Sequence, residues 1–340
     1  MRPLNPLEGF KVDPSAIKYI GHNLHRPECI LAERDGSLWT ADARGGVVHI
    51  QPDGRQALIL PSEAATQSIV SSDDEESRLT TGSLPNGLAF ARNGDIIISN
   101  FGTDRLELMS RSGAFSLLAD SIDSLPIGKV NFVLRDSKDR IWMTISTRTK
   151  NWMEAMSPNV CDGYIALYEN GKLRVVADGF HFTNEIRLDA NEEWLYVAET
   201  CAMRVSRLRV LDDGSLTDRQ VFGPDNHRGF IDGIAFDSFG NLWGTHIMLD
   251  RIFAITPDGE LKIILDDDKG SEAGKKLLAA FDEDKANAEL MLACGGKISP
   301  WFTSITFGGV DLSTVYVGSL RHDRIAYFKS PVAGLPMVHW

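Results

Sequence analysis

The chain has 340 residues, 43 % of them hydrophobic and 24 % charged, with a net charge of −12. That composition describes an ordinary soluble globular protein, long enough for two average domains or one repeat-built domain. The acidic excess, with no basic stripe, excludes nucleic acid and disfavours anionic membrane surfaces, and no run approaches the ~20 apolar residues of a membrane-spanning helix.

The N-terminus, Met1 to Glu8, lacks the apolar core of a signal peptide. Cys29, Cys161, Cys201 and Cys294 are scattered, without a CxxC pair. Both features lead to the expectation of a cytoplasmic protein with reduced thiols.

Along the chain, six segments share one shape. Each opens on a polar or small residue and runs through an apolar strand. A Gly/Asn/Asp turn then leads into a second strand rich in Trp, Ile, Val and Tyr. The segments begin at Glu28, Asn86, Asn131, Asn184, Asp232 and Ser304. Turns such as Asp35-Gly36, Asn93-Gly94 and Gly240-Asn241 suit tight hairpins, because these residues tolerate positive φ. A third strand (Val47–Ile50, Arg105–Met109, Arg251–Ile255) and a fourth (Ala57–Leu60, Leu261–Leu265) follow. Four antiparallel strands recurring at roughly 50-residue spacing predict an all-β fold, a six-bladed β-propeller forming one domain over 1–340. After Ser304 only three strands remain, so Ala16–Ile20 is expected to close the ring as the missing strand and hide its edges.

Three insertions break the period. The first, 62–83, is polar and acidic and reads as a mobile loop. The second, 148–162, carries Trp152, Met153 and Met156. The third, 271–295, has helical spacing of Leu277, Leu278, Phe281, Ala288, Leu290 and Met291, with Gly295-Gly296 able to stop the helix. Strand direction predicts all three at one mouth of the central channel, as a lid.

The residues that open the inner strands should face one another around the axis. Glu28 and Asp232 would repel there, at several kcal/mol each, without a cation between them. Two carboxylates with carboxamides from Asn86, Asn131 and Asn184 make an oxygen-rich cage for one divalent metal, suited to a hard ion such as Ca²⁺, Mg²⁺ or Mn²⁺. Zn²⁺ is the remaining candidate. No GxSxG elbow, HExxH helix or glycine-rich phosphate loop is present, which argues against Ser-His-Asp and zinc-peptidase chemistry.

Glu28 before the first inner strand, Asn131, Asn184 in Phe-Thr-Asn-Glu-Ile, and Asp232 in Ile-Asp-Gly-Ile-Ala-Phe-Asp carry a resemblance. They resemble the gluconolactonase, regucalcin and senescence-marker-protein family. The resemblance covers about Ala16 to Pro331. It implies a six-bladed propeller with one catalytic divalent metal, most often hydrolysing a lactone. Glu28, Asn184 and Asp232 would be ligands, and Asn131 a ligand or a substrate contact. Asp232 would be the general base, with Glu28 a purely structural ligand. Phe132 and Lys129 depart from the family pattern, which often has Asp and Arg at those places. Together with Trp152, Met153, Met156, Met203 and Met248, Phe132 points to an apolar mouth.

The expected partner is therefore a small lactone or ester. Lys129, which stands on the strand face of Asn131 where the resemblance implies a substrate-holding Arg, is an expected substrate contact together with Asn131 and Asn86. His246 and His322 follow second strands and are candidates to bind substrate or relay protons. Strand alternation predicts that Glu185 points away from the axis. The competing readings are an organophosphate or ester hydrolase at the same metal, a strictosidine-synthase-like propeller working around one Glu, and a non-catalytic calcium-binding propeller.

Overall fold

A computed structural model describes residues 4–61 and 74–340. Six four-stranded antiparallel sheets are built in chain order, and their inner strands adjoin in succession, with the first against the sixth. The inner strands are Ile30–Ala32, Pro85–Phe90, Val130–Arg135, Thr183–Leu188, Phe230–Phe236 and Phe302–Gly308. The molecule is thus a six-bladed propeller. Lys18–Ile20 pairs antiparallel with Ile325–Lys329 and supplies the fourth strand of the last blade. The N-terminal strand thereby ties the last blade to the first and closes the ring.

The hairpin glycines behave as their turns require: Gly36, Gly94 and Gly240 have φ of 91°, 88° and 96°. A second device recurs in blades one, three and five. An acid at the end of the inner strand accepts the indole N–H of the tryptophan six residues later, as Glu33 does for Trp39, Asp136 for Trp142 and Asp237 for Trp243. Each buried indole is thereby satisfied within its own blade.

Five of the six inner strands depart from plain alternation. Register slips between Pro85 and Leu88, Val130 and Phe132, Thr183 and Ile186, Ile231 and Ile234, and Phe302 and Ile305. Each slip inserts one extra residue, a β-bulge, next to the polar residue that opens the strand. Its effect is plain in blade three. Val130 and Val133 pack in one apolar cluster, whereas Phe132 and Leu134 pack in another. The bulge aims Asn131 at the axis and shifts every neighbouring side chain by one step.

The bulges also bring adjacent inner strands very close. A Cβ on Gly233 would lie 2.5 Å from the Ser304 Cα and 2.5 Å from the Thr303 carbonyl.

Pieces of the three insertions share one apolar cluster with the rim of the channel. Leu79 of the helix Glu75–Thr80, Trp152, Met153 and Met156, and Leu277, Phe281 and Met291 pack together with Phe101, Phe182, Met248 and Leu320. The third insertion forms two helices, Glu272–Asp282 and Ala288–Leu292. Trp152 Nε1 donates to the Leu79 carbonyl at 3.0 Å, and Asp284 accepts from Ser157 and Asn159. Most of the predicted loop 62–83, its residues 62–73, lies outside the described residues.

At the other mouth, the tail after blade six runs under the channel. Leu335 N donates to the Phe236 carbonyl, and the His339 ring meets the Ala32 carbonyl and packs edge-on against Phe90.

Gly233→Ala is expected to lower stability by about 2 kcal/mol, in the range of core overpacking. Urea denaturation of variant and parent measures the difference.

Candidate metal centre

The inner strands bring Glu28, Asn86, Asn131, Asn184 and Asp232 to one buried cavity at the lidded mouth. Its roof is apolar, made by Phe101, Trp152, Met156, Phe182, Met248 and Leu320. Glu28 is 2 %, Asn184 3 % and Asp232 5 % exposed.

Four oxygens on the cavity wall are buried without a hydrogen-bond partner: Glu28 Oε2, Asn131 Oδ1, Asn184 Oδ1 and Asp232 Oδ1. Buried oxygens are rarely left so, and four around one cavity are the pattern expected of a hard-cation cage. Asn184 is oriented by its other end, because Nδ2 donates to Thr200 Oγ1, which in turn donates to the Ile231 carbonyl. Among the described residues, no group of three His, Cys, Asp or Glu side chains stands in metal-binding position. The donor set here is two carboxylates and two carboxamides.

Asn86 plays a different part. Its Oδ1 accepts from Arg26 Nη2 at 2.7 Å and its Nδ2 donates to the Asn131 carbonyl at 3.0 Å. Both ends are therefore engaged, and Asn86 acts as the seat of Arg26.

Arg26, which sequence reasoning passed over, lines the same cavity and is 7 % exposed. Burial pushes its guanidinium down from the usual range, while Glu28 and Asp232 pull it back up. Glu28 in turn is pushed well above the ordinary carboxylate range, by burial first and then by Asp232, with Arg26 opposing. Asp232 is raised by burial and by Glu185. Both shifts have the same cause. Negative charge is out of water and incompletely compensated.

Glu185 belongs to this assembly, contrary to the expectation from alternation. The bulge between Thr183 and Ile186 turns it inward, where Oε2 accepts from Ile234 N at 3.1 Å and pairs with Arg187 Nη2 at 2.9 Å. Arg187 also covers the Phe132 ring, with 4.5 Å from its guanidinium carbon to the ring centroid. Ser304 is buried beside Glu185 and does not line the cavity.

Three expected substrate contacts are corrected. Lys129 is turned off the face of Asn131 by the bulge; its ammonium pairs with Asp104 at 3.0 Å and caps the Phe101 carbonyl. His246 is fully buried within blade five, where Nε2 meets His227 Nδ1 at 3.3 Å and the ring stacks on Phe253. It lies on the strand Leu242–Ile247, whose last residue, Ile247, is the one that reaches the cavity. His322 stacks on Tyr19 in a neighbouring groove, outside the cavity.

The His227–His246 pair carries a prediction. Burial holds His227 down to about 4, and burial with His227 holds His246 well below its ordinary value. Between about pH 6.5 and 4 the unfolded chain binds protons at these rings that the folded chain refuses. Stability therefore falls as pH falls through that window, by up to about 1.4 kcal/mol per pH unit for each ring. Melting temperature followed from pH 7 to 4 is expected to decline less steeply in His227→Gln than in the parent; equal slopes would refute the assignment.

Comparisons with known proteins agree with this architecture. The SMP-30/Gluconolactonase/LRE-like region matches residues 29–266. A 6-deoxy-6-sulfogluconolactonase of Pseudomonas putida is 26 % identical over 157 residues, covering 46 % of this chain and 44 % of that protein. The adipocyte plasma membrane-associated protein of Rattus norvegicus is 24 % identical over 232 residues, covering 65 % of this chain and 59 % of that protein. The chain thus spans about half the length of these curated relatives.

Among solved structures, a gluconolactonase from Xanthomonas campestris superposes with a TM-score of 0.65 at 16 % identity, covering 94 % of this chain and 89 % of that one. Regucalcin from Agrobacterium tumefaciens, described as a calcium-binding protein, gives 0.65 at 17 % identity, with 93 % and 95 % covered. These likenesses bear on the fold, and the match over 29–266 carries the assignment: the chain belongs to the SMP-30/gluconolactonase/LRE-like family.

Proposed function

We propose that the protein is a divalent-metal-dependent hydrolase that opens a small lactone. The observation that carries this reading is the ring of four unpartnered oxygens, from Glu28, Asn131, Asn184 and Asp232, on one buried cavity. The names of the Pseudomonas and Xanthomonas relatives, and the calcium-binding description of the regucalcin, point the same way.

Glu28, Asn184 and Asp232 would hold the ion, with Asn131 as a fourth ligand or as a contact to the substrate carbonyl; the oxygen donors favour Ca²⁺, and also suit Mg²⁺ or Mn²⁺. Such an ion supplies Lewis-acid polarisation of the carbonyl and acidifies water. The chain's own groups do the rest. Asp232, a buried carboxylate on the cavity wall, takes a proton from water as the water oxygen bonds to the acyl carbon. The ring C–O bond then breaks, and Asp232 returns the proton to the departing alkoxide oxygen. The hydroxy acid that leaves ionises in solution, so turnover releases one proton. Thr200 keeps Asn184 aimed, and the apolar roof shields the reacting carbonyl from bulk water.

Two outcomes test this reading. Protein stripped with chelator is expected to lose lactone turnover, read as proton release, and to regain it on adding Ca²⁺, Mg²⁺ or Mn²⁺; full activity in metal-free protein would contradict it. Asp232→Asn is expected to lower kcat by about 10²–10⁴-fold while the melting temperature stays within a few degrees. Parental rates in that variant would remove Asp232 from the role of base.

A further inference from the structure

Three buried carboxylates, Glu28, Glu185 and Asp232, and two buried guanidinium groups, Arg26 and Arg187, act on one another at the axis. Arg187 is spent on Glu185, in an ion pair of 2.9 Å. What faces the cavity is Glu28, Asp232 and Arg26. Among the described residues that line it, Arg26 is the one cation. A divalent ion in the cage would turn the net charge of this trio from minus one to plus one. A neutral substrate would leave that surplus uncompensated in a desolvated site, where an unpaired charge is costly.

Arg26 is built to present its charge. Nη1 donates to the Pro85 carbonyl at 3.2 Å and Nη2 to Asn86 Oδ1 at 2.7 Å, which clamps the guanidinium to blade two. Nε is buried and has no hydrogen-bond partner. Arginine offers five N–H groups in a fixed fork, so the clamp leaves donors to spare, in the geometry that reads a carboxylate, sulfonate or phosphate.

The position of Arg26 matters as much as its charge. It lines both the cavity and a second groove at the rim, between the helix Glu75–Thr80 and the loops of blades one and six. That groove carries Arg44, Arg78 and Arg321 on its walls. Asp42 holds Arg44 and Glu75 holds Arg321, so ion pairs stand on the walls of the groove where the roof of the cavity is apolar. Arg26 and Leu320 are the residues common to both spaces.

We propose that Arg26 is the recognition group for an anionic substituent of the substrate, and that the enzyme takes lactones bearing a carboxylate, sulfonate or phosphate in preference to neutral ones. The ring lies under Trp152 and Met156 against the cage, and the anionic arm reaches Arg26 at the mouth of the groove. This specifies the substrate class of the hydrolase reading above and rests on it for the reaction and for the cation that makes the site positive.

The test has an arm that does not need turnover. Sulfate and phosphate are titrated by calorimetry, at constant ionic strength, into the parent, Arg26→Gln and Arg26→Lys proteins. Saturable binding is expected in the parent, weakened at least tenfold in Arg26→Gln and by less in Arg26→Lys, which keeps the charge and loses the fork. In the kinetic arm, a carboxylate-bearing lactone and its uncharged amide counterpart are compared. A kcat/KM at least tenfold higher for the charged lactone is expected in the parent, shrinking to within about twofold in Arg26→Gln.

Equal kcat/KM for the two lactones in the parent, an equal loss for both in Arg26→Gln, or sulfate binding unchanged by that substitution would overturn the proposal and leave Arg26 a tie between blades one and two. Should Arg26→Gln fail to fold, Arg26→Lys decides by the same readouts. If no lactone is turned over while sulfate binding still depends on Arg26, the hydrolase reading falls and the anion site stands.

Discussion

Two carboxylates held out of water at the propeller axis are the constraint on which the rest of this structure depends. Removing one ion from water costs several kcal/mol even after the protein relaxes, and Glu28 and Asp232 also repel each other. Arg26 offsets part of that cost, and Arg187 is occupied with Glu185. The carboxyl groups are consequently driven towards their protonated forms, a state that a bound cation would reverse. Stability alone gives no reason to assemble such a cluster, since apolar side chains of similar volume would fill the axis at lower cost.

The scaffold serves the cluster in identifiable ways. Bulges in five inner strands turn polar side chains inward where simple alternation would have sent some of them into the sheet interfaces. Glycine at 233 lets the fifth and sixth inner strands approach within contact of each other's backbone. Pieces of three insertions, far apart in sequence, meet over one mouth through Trp152, Leu79 and Asp284, while the C-terminal tail runs under the other. The cavity therefore has an apolar roof, an ionic floor and a polar groove at its side, which suits a substrate with a carbon body and a charged arm.

Much of this was legible in the sequence, and the reasons are physical. A propeller announces itself because each blade repeats period-2 strands and Gly/Asn turns, and the N-terminal strand at Lys18–Ile20 was needed to complete a blade three strands long. Glu28, Asn131, Asn184 and Asp232 could be brought to one axis because each opens an inner strand. Two of the failures share a cause. Strict alternation assigns Lys129 and Glu185 to faces that a one-residue bulge reverses, without any local signal as strong as a Gly or Pro. The sequence pattern puts His246 on a loop after the second strand, whereas the strand extends through it to Ile247 and buries it against Phe253. Arg26 is not legible in the sequence because it precedes the strand, in a left-handed turn with φ of 56°, where side-chain direction cannot be read from periodicity.

The central claim is that one divalent cation sits among these oxygens, and anomalous scattering from crystals grown with Mn²⁺ tests it most directly. The account predicts a single strong peak at the axis, about 2.0–2.6 Å from oxygens of Glu28, Asn184 and Asp232. A cavity without such a peak, with the Arg26 guanidinium closed onto both carboxylates, would contradict it.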